Sequence, residues 1–154
     1  LIKASMVARQ LLGLLSSSKI ETSKSDLIQG LKRGPNIIYL FKVDNLKICH
    51  LGYLGEFINN ELIKILHNAD ILFIPIGGNL CLNGIDAYSL SEKLNAKYII
   101  PMCYKNNYSN FYFNGPKDFL SSCKNVVSVK TDTVYFSDFY NNTLPSTILM
   151  HNGL

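Results

Sequence analysis

Asn36-Ile37-Ile38-Tyr39-Leu40-Phe41-Lys42-Val43, then Asp44-Asn45, then Leu46-Lys47-Ile48-Cys49-His50-Leu51, is the stretch from which the fold is read. The first run is β-branched and aromatic, and only Lys42 is charged, which predicts a strand over 36–43. Asp and Asn tolerate the left-handed region that a tight turn needs, and the apolar run resumes at once. Residues 36–51 therefore read as a hairpin.

Downstream, the apolar period changes. Residues 58, 62, 63 and 66 recur at helical spacing, predicting a helix over 58–67 with Asn59 or Asn60 near its cap. Residues 71–76 are uncharged and β-branched and run into Pro75 and Gly77-Gly78, a buried strand. A second helix follows over 85–94 and a third core strand over 97–102. An Asn- and Tyr-rich loop covers 105–115, and Pro116 suits the first turn of a short helix through Leu120. Residues 126–129 and 134–136 read as a closing hairpin, and 147–150 as a last strand. Strands alternating with helices, with no internal repeat, make one compact α/β domain.

The stretch before residue 20 reads two ways. It holds Lys3, Arg9 and Lys19, a serine cluster at 16–18, and no acid before Glu21, a composition similar to an organellar transit peptide. Met6, Val7, Leu11, Leu14 and Leu15 also recur at helical spacing, the pattern of a surface helix. The expected organisation is an N-terminal helix or remnant of an upstream or targeting segment over 1–19, and the domain over 20–154.

Composition narrows the class. At 154 residues, 47% hydrophobic and 17% charged, the chain fills one core and is no disordered segment. No apolar run nears the roughly 20 residues a bilayer requires, so no membrane span is expected. A net charge of +4, with Arg9 and Arg33 the only arginines, is too thin for base-specific nucleic-acid reading. Cys49, Cys81, Cys103 and Cys123 form no CxxC pair, and three sit in or beside apolar runs. They read as buried reduced thiols, suiting an intracellular compartment, either the cytoplasm or an organelle such as the mitochondrion. The sequons at 107–109 and 141–143 are short enough to arise by chance.

Three loops are predicted at one sheet edge, where α/β enzymes assemble their sites: 49–56, 74–79 and 100–105. Gly77-Gly78-Asn79, between a strand and a helix, offers amides to an anion, but GxGxxG spacing and a P-loop Lys are both missing. Cys49 and His50 are adjacent on a strand and point to opposite faces, so they form no catalytic dyad.

Arg33 to Leu40, His50-Leu51-Gly52-Tyr53-Leu54-Gly55-Glu56, Asp70 to Asn79 and Ile100 to Lys105, in this order and spacing, resemble the metallo-β-lactamase fold. The similarity is to its small Zn-dependent hydrolases, related to ascorbate-lactonase-like proteins. It runs from about residue 20 to 150, with Leu144-Pro145 where the family often has a late Leu-Pro. The resemblance implies an α/β fold, an αββα sandwich, represented mainly by its C-terminal half. It also implies ligand positions, and there the chain departs. A bridging Asp is replaced by Tyr53, a zinc-binding His by Cys103, and another His aligns near Ser25. Glu56 replaces a further His, and the family's HxHxDH motif lies upstream of this chain. His50 is kept but precedes a ligand position, and it reads as a buried, hydrogen-bonded histidine. Glu56 reads as a solvated acid at a helix N-terminus, favourable by roughly 0.5 kcal/mol.

A phenol does not readily bridge cations at neutral pH, and a lone Cys holds no metal. The expectation is therefore a chain with no cofactor, catalytically degenerate, with Ser25, Tyr53 and Cys103 as spent ligand positions. His50, Glu56, Gly77, Gly78 and Asn79 would be their neighbours. Its role would be a structural or interaction subunit among other protein subunits, in an organellar assembly or a ribonucleoprotein. The alternative is a zinc-dependent hydrolase of ester, lactone or phosphodiester bonds, with its HxHxDH half on an upstream segment or partner chain.

Overall fold

The computed structural model describes residues 2–3, 17–22, 36–107, 112–131, 133–139 and 145–150. Its elements, in chain order, begin with β1 (Ile2–Lys3), β2 (Ser17–Thr22), β3 (Asn36–Val43), β4 (Leu46–His50), α1 (Asn60–Leu66) and β5 (Ile71–Pro75). They continue with α2 (Gly84–Leu94), β6 (Tyr98–Met102), α3 (Lys117–Leu120), β7 (Val126–Val129), β8 (Thr133–Val134), a 3-10 turn (Phe136–Phe139) and β9 (Ser146–Met150).

The hairpin forms as read. Asp44 and Asn45 both take positive φ, 47° and 68°, and set Val43 opposite Leu46 and Tyr39 opposite His50. Two positive φ values give the turn a twist that matches its flanking strands. Each longer helix starts on an Asn whose side chain caps it. Asn59 Oδ1 accepts from the Leu62 N–H at 2.9 Å, and Asn83 Oδ1 from the Asp86 N–H at 2.9 Å.

The main sheet has the order β2-β3-β4-β5-β6-β9-β7 among the described residues. β2, β3 and β4 pair antiparallel, and every pairing from β4 through β7 is parallel. Parallel strands bring the chain out at the same sheet edge, so the loops after β4, β5 and β6 gather there. Alternating residues build two apolar layers. Ile38, Cys49, Leu72, Ile74 and Ile99 face the helices and meet Leu62, Leu66, Leu90, Leu94 and Phe119. Phe41, Ile48, Ile71, Ile100 and Ile148 face the other way, against Val134, Phe136 and Phe139. This is the mixed α/β architecture the sequence implied.

One expectation changes. Residues 126–129 and 134–136 do not form a closing hairpin. β7 lies parallel to β9, and β8 pairs antiparallel with β1 in a separate two-stranded sheet. β9 enters between β6 and β7, pairing with all four residues of β7 and with Tyr98 and Ile99 of β6. In the N-terminal stretch, the described parts are strands, and β2 spans the expected boundary at residue 19. The apolar residues from Met6 to Leu15, which carried the helical reading, lie outside the described residues.

Candidate functional site

The edge formed by the loops after β4, β5 and β6 brings together most of the residues singled out in the sequence. The loop after β4 turns on Asn36, a buried side chain at the start of β3. Its Nδ2 donates to the Leu51 carbonyl at 3.0 Å and its Oδ1 accepts from the Tyr53 N–H at 2.8 Å. The same turn fixes His50, whose Nδ1 accepts from the Gly52 N–H at 3.1 Å. An imidazole accepting at Nδ1 carries its proton on Nε2. Burial lowers the His50 pKa, and its ring tilts against Phe73 with centroids 5.6 Å apart. His50 is half-buried and hydrogen-bonded within this turn.

The loop after β5 approaches the loop after β6 through Gly77. A Cβ there would lie 2.0 Å from the Cys103 carbonyl oxygen and 2.9 Å from the Phe113 side chain, so only glycine permits the contact. The Ile76 N–H donates to the Met102 carbonyl at 3.0 Å, and the Asn114 N–H to the Gly77 carbonyl at 2.7 Å. Gly78 and Asn79 follow with φ of 69° and 54°, and the Asn79 side-chain amide donates to the Tyr112 carbonyl. The amides of this turn are used within the protein: Gly78 N–H donates to Leu82 O at 2.9 Å. An anion cradle at Gly77-Gly78-Asn79 therefore loses one of its donors.

Tyr53 and Cys103 meet across this edge and share a side-chain hydrogen bond. The Tyr53 ring stacks on Phe113 with centroids 6.4 Å apart. Cys103, itself at φ 54°, has its thiol pushed up to about 11 by burial and by the charge of Cys81, against the opposing hydrogen bond from Tyr53. Tyr53 is raised in turn by the charge of Cys103, then by burial and their hydrogen bond. Both groups keep their protons at neutral pH. Ser25 lies outside the described residues.

Glu56 is not the solvated helix-terminal acid expected of it. α1 begins at Asn60 under the Asn59 cap, and the Glu56 Oε2 atom is buried with no hydrogen-bond partner. A buried carboxylate oxygen without a hydrogen-bond partner costs free energy. Asn36, Cys81 and Phe113 were not singled out from the sequence. Asn36 stands in the quoted 33–40 run, but nothing in its spacing marked it as the organiser of the turn. Cys81 and Phe113 reach the edge only through tertiary packing.

A continuous parallel sheet entered by an antiparallel hairpin, helices on one face, and polar loops gathered at one edge define the metallo-β-lactamase class of fold. The chain belongs to the beta-lactamase superfamily domain family, whose model matches residues 10–103. It is 33% identical over 85 residues to a metal-dependent hydrolase of Polynucleobacter asymbioticus, covering 54% of this chain and 30% of that protein. A metal-dependent hydrolase of Carboxydothermus hydrogenoformans is 36% identical over 66 residues, 43% of this chain and 29% of that one. A Thermotoga maritima crystal structure, assigned to the Zn-dependent hydrolases of the metallo-β-lactamase superfamily, superposes with a TM-score of 0.72 at 28% identity. That match covers 87% of this chain and 63% of the other. The metallo-β-lactamase fold protein YhfI of Bacillus subtilis shares the fold alone, with a TM-score of 0.53 at 8% identity over 89% of this chain and 47% of that one. The matched stretches span about a third of the length of the curated relatives.

These relatives overturn two expectations: a catalytically degenerate structural subunit, and a chain with no cofactor. They favour the hydrolase and a metal. Ser25, Tyr53 and Cys103 sample only part of the relatives' length, so their identities do not decide whether the whole protein holds a metal. The described residues alone do not fit one. No group of three or more His, Cys, Asp or Glu side chains comes together among them. Cys103 and Tyr53 hold their protons where a ligand must shed one.

Proposed function

We propose that this chain is part of a metal-dependent hydrolase acting on an ester, lactone or phosphodiester bond, with the loops after β4, β5 and β6 forming one wall of its site. The observation that carries this reading is the likeness to metal-dependent hydrolases at 33% and 36% identity, over 85 and 66 residues. When bound, the metal would supply Lewis-acid chemistry and an activated water; among the described residues no group of three or more His, Cys, Asp or Glu side chains comes together to hold it. This chain's own residues position the wall. Asn36 holds the turn that presents Tyr53, and Gly77 lets the Cys103 backbone and the Phe113 side chain close on it. The Tyr53–Cys103 pair stays neutral and adds no charge of its own to this wall.

The test is hydrolysis of p-nitrophenyl acetate and bis(p-nitrophenyl) phosphate by the full-length protein, loaded with Zn²⁺ and then treated with a chelator. Turnover of either compound that disappears on chelation and returns with the ion supports the reading. Equal rates for the loaded and the chelated protein refute it.

A further inference from the structure

We propose that Asn114, in the loop that closes on Gly77, is a site of spontaneous deamidation through the nitrogen of Gly115. The Gly115 amide nitrogen attacks the Asn114 Cγ and forms a C–N bond, closing a succinimide ring. The Cγ–Nδ2 bond breaks, and that nitrogen leaves as ammonia with the proton the Gly115 amide gives up. Water then opens the ring at either carbonyl. One opening gives Asp; the other gives isoaspartate, with the main chain rerouted through Cγ. Water is the only co-reactant. Asn before Gly is the most vulnerable pairing, because glycine has no Cβ to obstruct its own nitrogen.

The chain has three Asn-Gly pairs, at 83–84, 114–115 and 152–153, and the last lies outside the described residues. The fold sets the other two apart. Asn83 caps α2: its Oδ1 accepts from the Asp86 N–H at 2.9 Å, and its Nδ2 donates to Asp86 Oδ2 at 2.8 Å. Gly84 is buried, and a Cβ there would lie 2.6 Å from the Phe119 nitrogen, so this backbone is packed closely against α3. Turning the Gly84 nitrogen onto the Asn83 Cγ would undo the cap and the first helical turn. Asn114 meets neither obstacle. It is exposed, and among the described residues its side chain has no hydrogen-bond partner. Nothing lies within 4 Å of a Cβ placed on Gly115. The main-chain bonds of Asn114, its N–H to Gly77 O at 2.7 Å and its carbonyl from the Lys105 N–H at 2.9 Å, leave both reacting atoms unengaged.

Both products alter the wall. A Cβ on Gly78 would lie 2.9 Å from Asn114 Nδ2, so conversion to Asp sets a carboxylate beside the Gly77-Gly78 turn. In isoaspartate the carbonyl that accepts from Lys105 becomes the free carboxylate, and the chain gains a methylene just after Asn114. Phe113, which stacks on Tyr53, is the preceding residue. Negative charge therefore arrives where Tyr53 and Cys103 add none. The chemistry at Asn114 does not rest on the hydrolase reading.

The test is incubation of the folded full-length protein in mildly alkaline buffer, with peptide mapping by tandem mass spectrometry over time. The readout is exchange of a side-chain amide nitrogen for oxygen, with Asp and isoaspartate separated by chromatography. Asn114 should convert roughly tenfold or more faster than Asn83, the factor that two restraining hydrogen bonds are worth. In urea, where both pairs are unrestrained, the two rates should converge. Gly115→Ala, which the open surroundings of Gly115 accommodate, should slow conversion at Asn114 by about tenfold or more, because its Cβ obstructs the attacking nitrogen. Equal rates at Asn114 and Asn83 in the folded protein overturn the proposal. So does an Asn114 that stays intact in the fold while the unfolded chain converts, or a rate unchanged by Gly115→Ala.

Discussion

Replacing Gly77 with Ala tests how the site edge is held. The added Cβ would sit 2.0 Å from the Cys103 carbonyl oxygen, where ordinary contact begins at 3.4 Å. The two loops must therefore part by 3.4 − 2.0, about 1.4 Å, or the Phe113 side chain and the Cys103 backbone must both move. Overpacking of this kind costs about 1–3 kcal/mol, and more where backbone is the obstacle. The displacement also stretches the Ile76–Met102 and Asn114–Gly77 hydrogen bonds, 3.0 and 2.7 Å long, at about 1 kcal/mol each. The sum, roughly 3–5 kcal/mol, is a large share of the ~5–15 kcal/mol typical of a domain. The assay is urea unfolding followed by far-UV circular dichroism, since the chain has no Trp. Gly115→Ala is the matched control, because nothing lies within 4 Å of a Cβ there, and it should change stability by less than about 0.5 kcal/mol. Equal midpoints for Gly77→Ala and the wild type would refute the close approach of the two loops.

Three further predictions follow from the same contacts. Asn36→Ala removes two hydrogen bonds from a buried side chain and leaves the Leu51 carbonyl with only its longer bond from the Leu54 N–H, and the Tyr53 N–H without its acceptor; a loss of about 2–3 kcal/mol in urea unfolding is expected. Cys103, with its thiol pushed up to about 11, should resist iodoacetamide at pH 7.5, and its alkylation rate should rise steadily as the pH approaches that value. Rapid labelling of Cys103 in the folded protein at neutral pH, read by mass spectrometry, would contradict this. Asp70 is half-buried, and burial raises its pKa, but the Lys97 hydrogen bond at 2.6 Å, the Lys47 N–H and both lysine charges bring it below the usual carboxylate range. A depressed folded pKa means stabilisation that is full above the unfolded value near ~3.9 and is lost as pH falls through the folded one. Asp70→Asn should therefore destabilise at pH 7 by about 1.5–3 kcal/mol, with the gap from wild type closing at acid pH.

The parts of the fold governed by local chemistry were legible in the sequence. Asp44-Asn45 between two apolar runs gave the hairpin and its positive-φ turn, and the uncharged runs at 71–76 and 97–102 became the central parallel strands β5 and β6. The cap Asn59 acts within its own helix, where sequence signals are strongest, whereas Asn83, the cap of the second helix, was not singled out. The closing hairpin failed because 126–129 and 134–136 look like local partners, whereas pairing was decided by β9, which arrives from further along the chain. Parallel pairing leaves no turn signature between its strands. Glu56 was misread for a related reason. Its distance from a helix is visible in sequence, but the burial of Oε2 depends on packing. At the site, the Tyr53–Cys103 meeting came from comparing ligand positions, while Cys81 and Phe113 are brought there by loops with no motif. Function was the least legible, because substitutions at individual ligand positions were read as loss of the whole activity.

The central claim is that this chain belongs to a metal-dependent hydrolase. Native mass spectrometry of the full-length protein, isolated from its own source, tests it most directly by reading chain length and bound ions together. The account predicts a species carrying at least one divalent metal ion, removed by a chelator and restored by Zn²⁺. A full-length protein that stays metal-free after incubation with excess Zn²⁺ would contradict it.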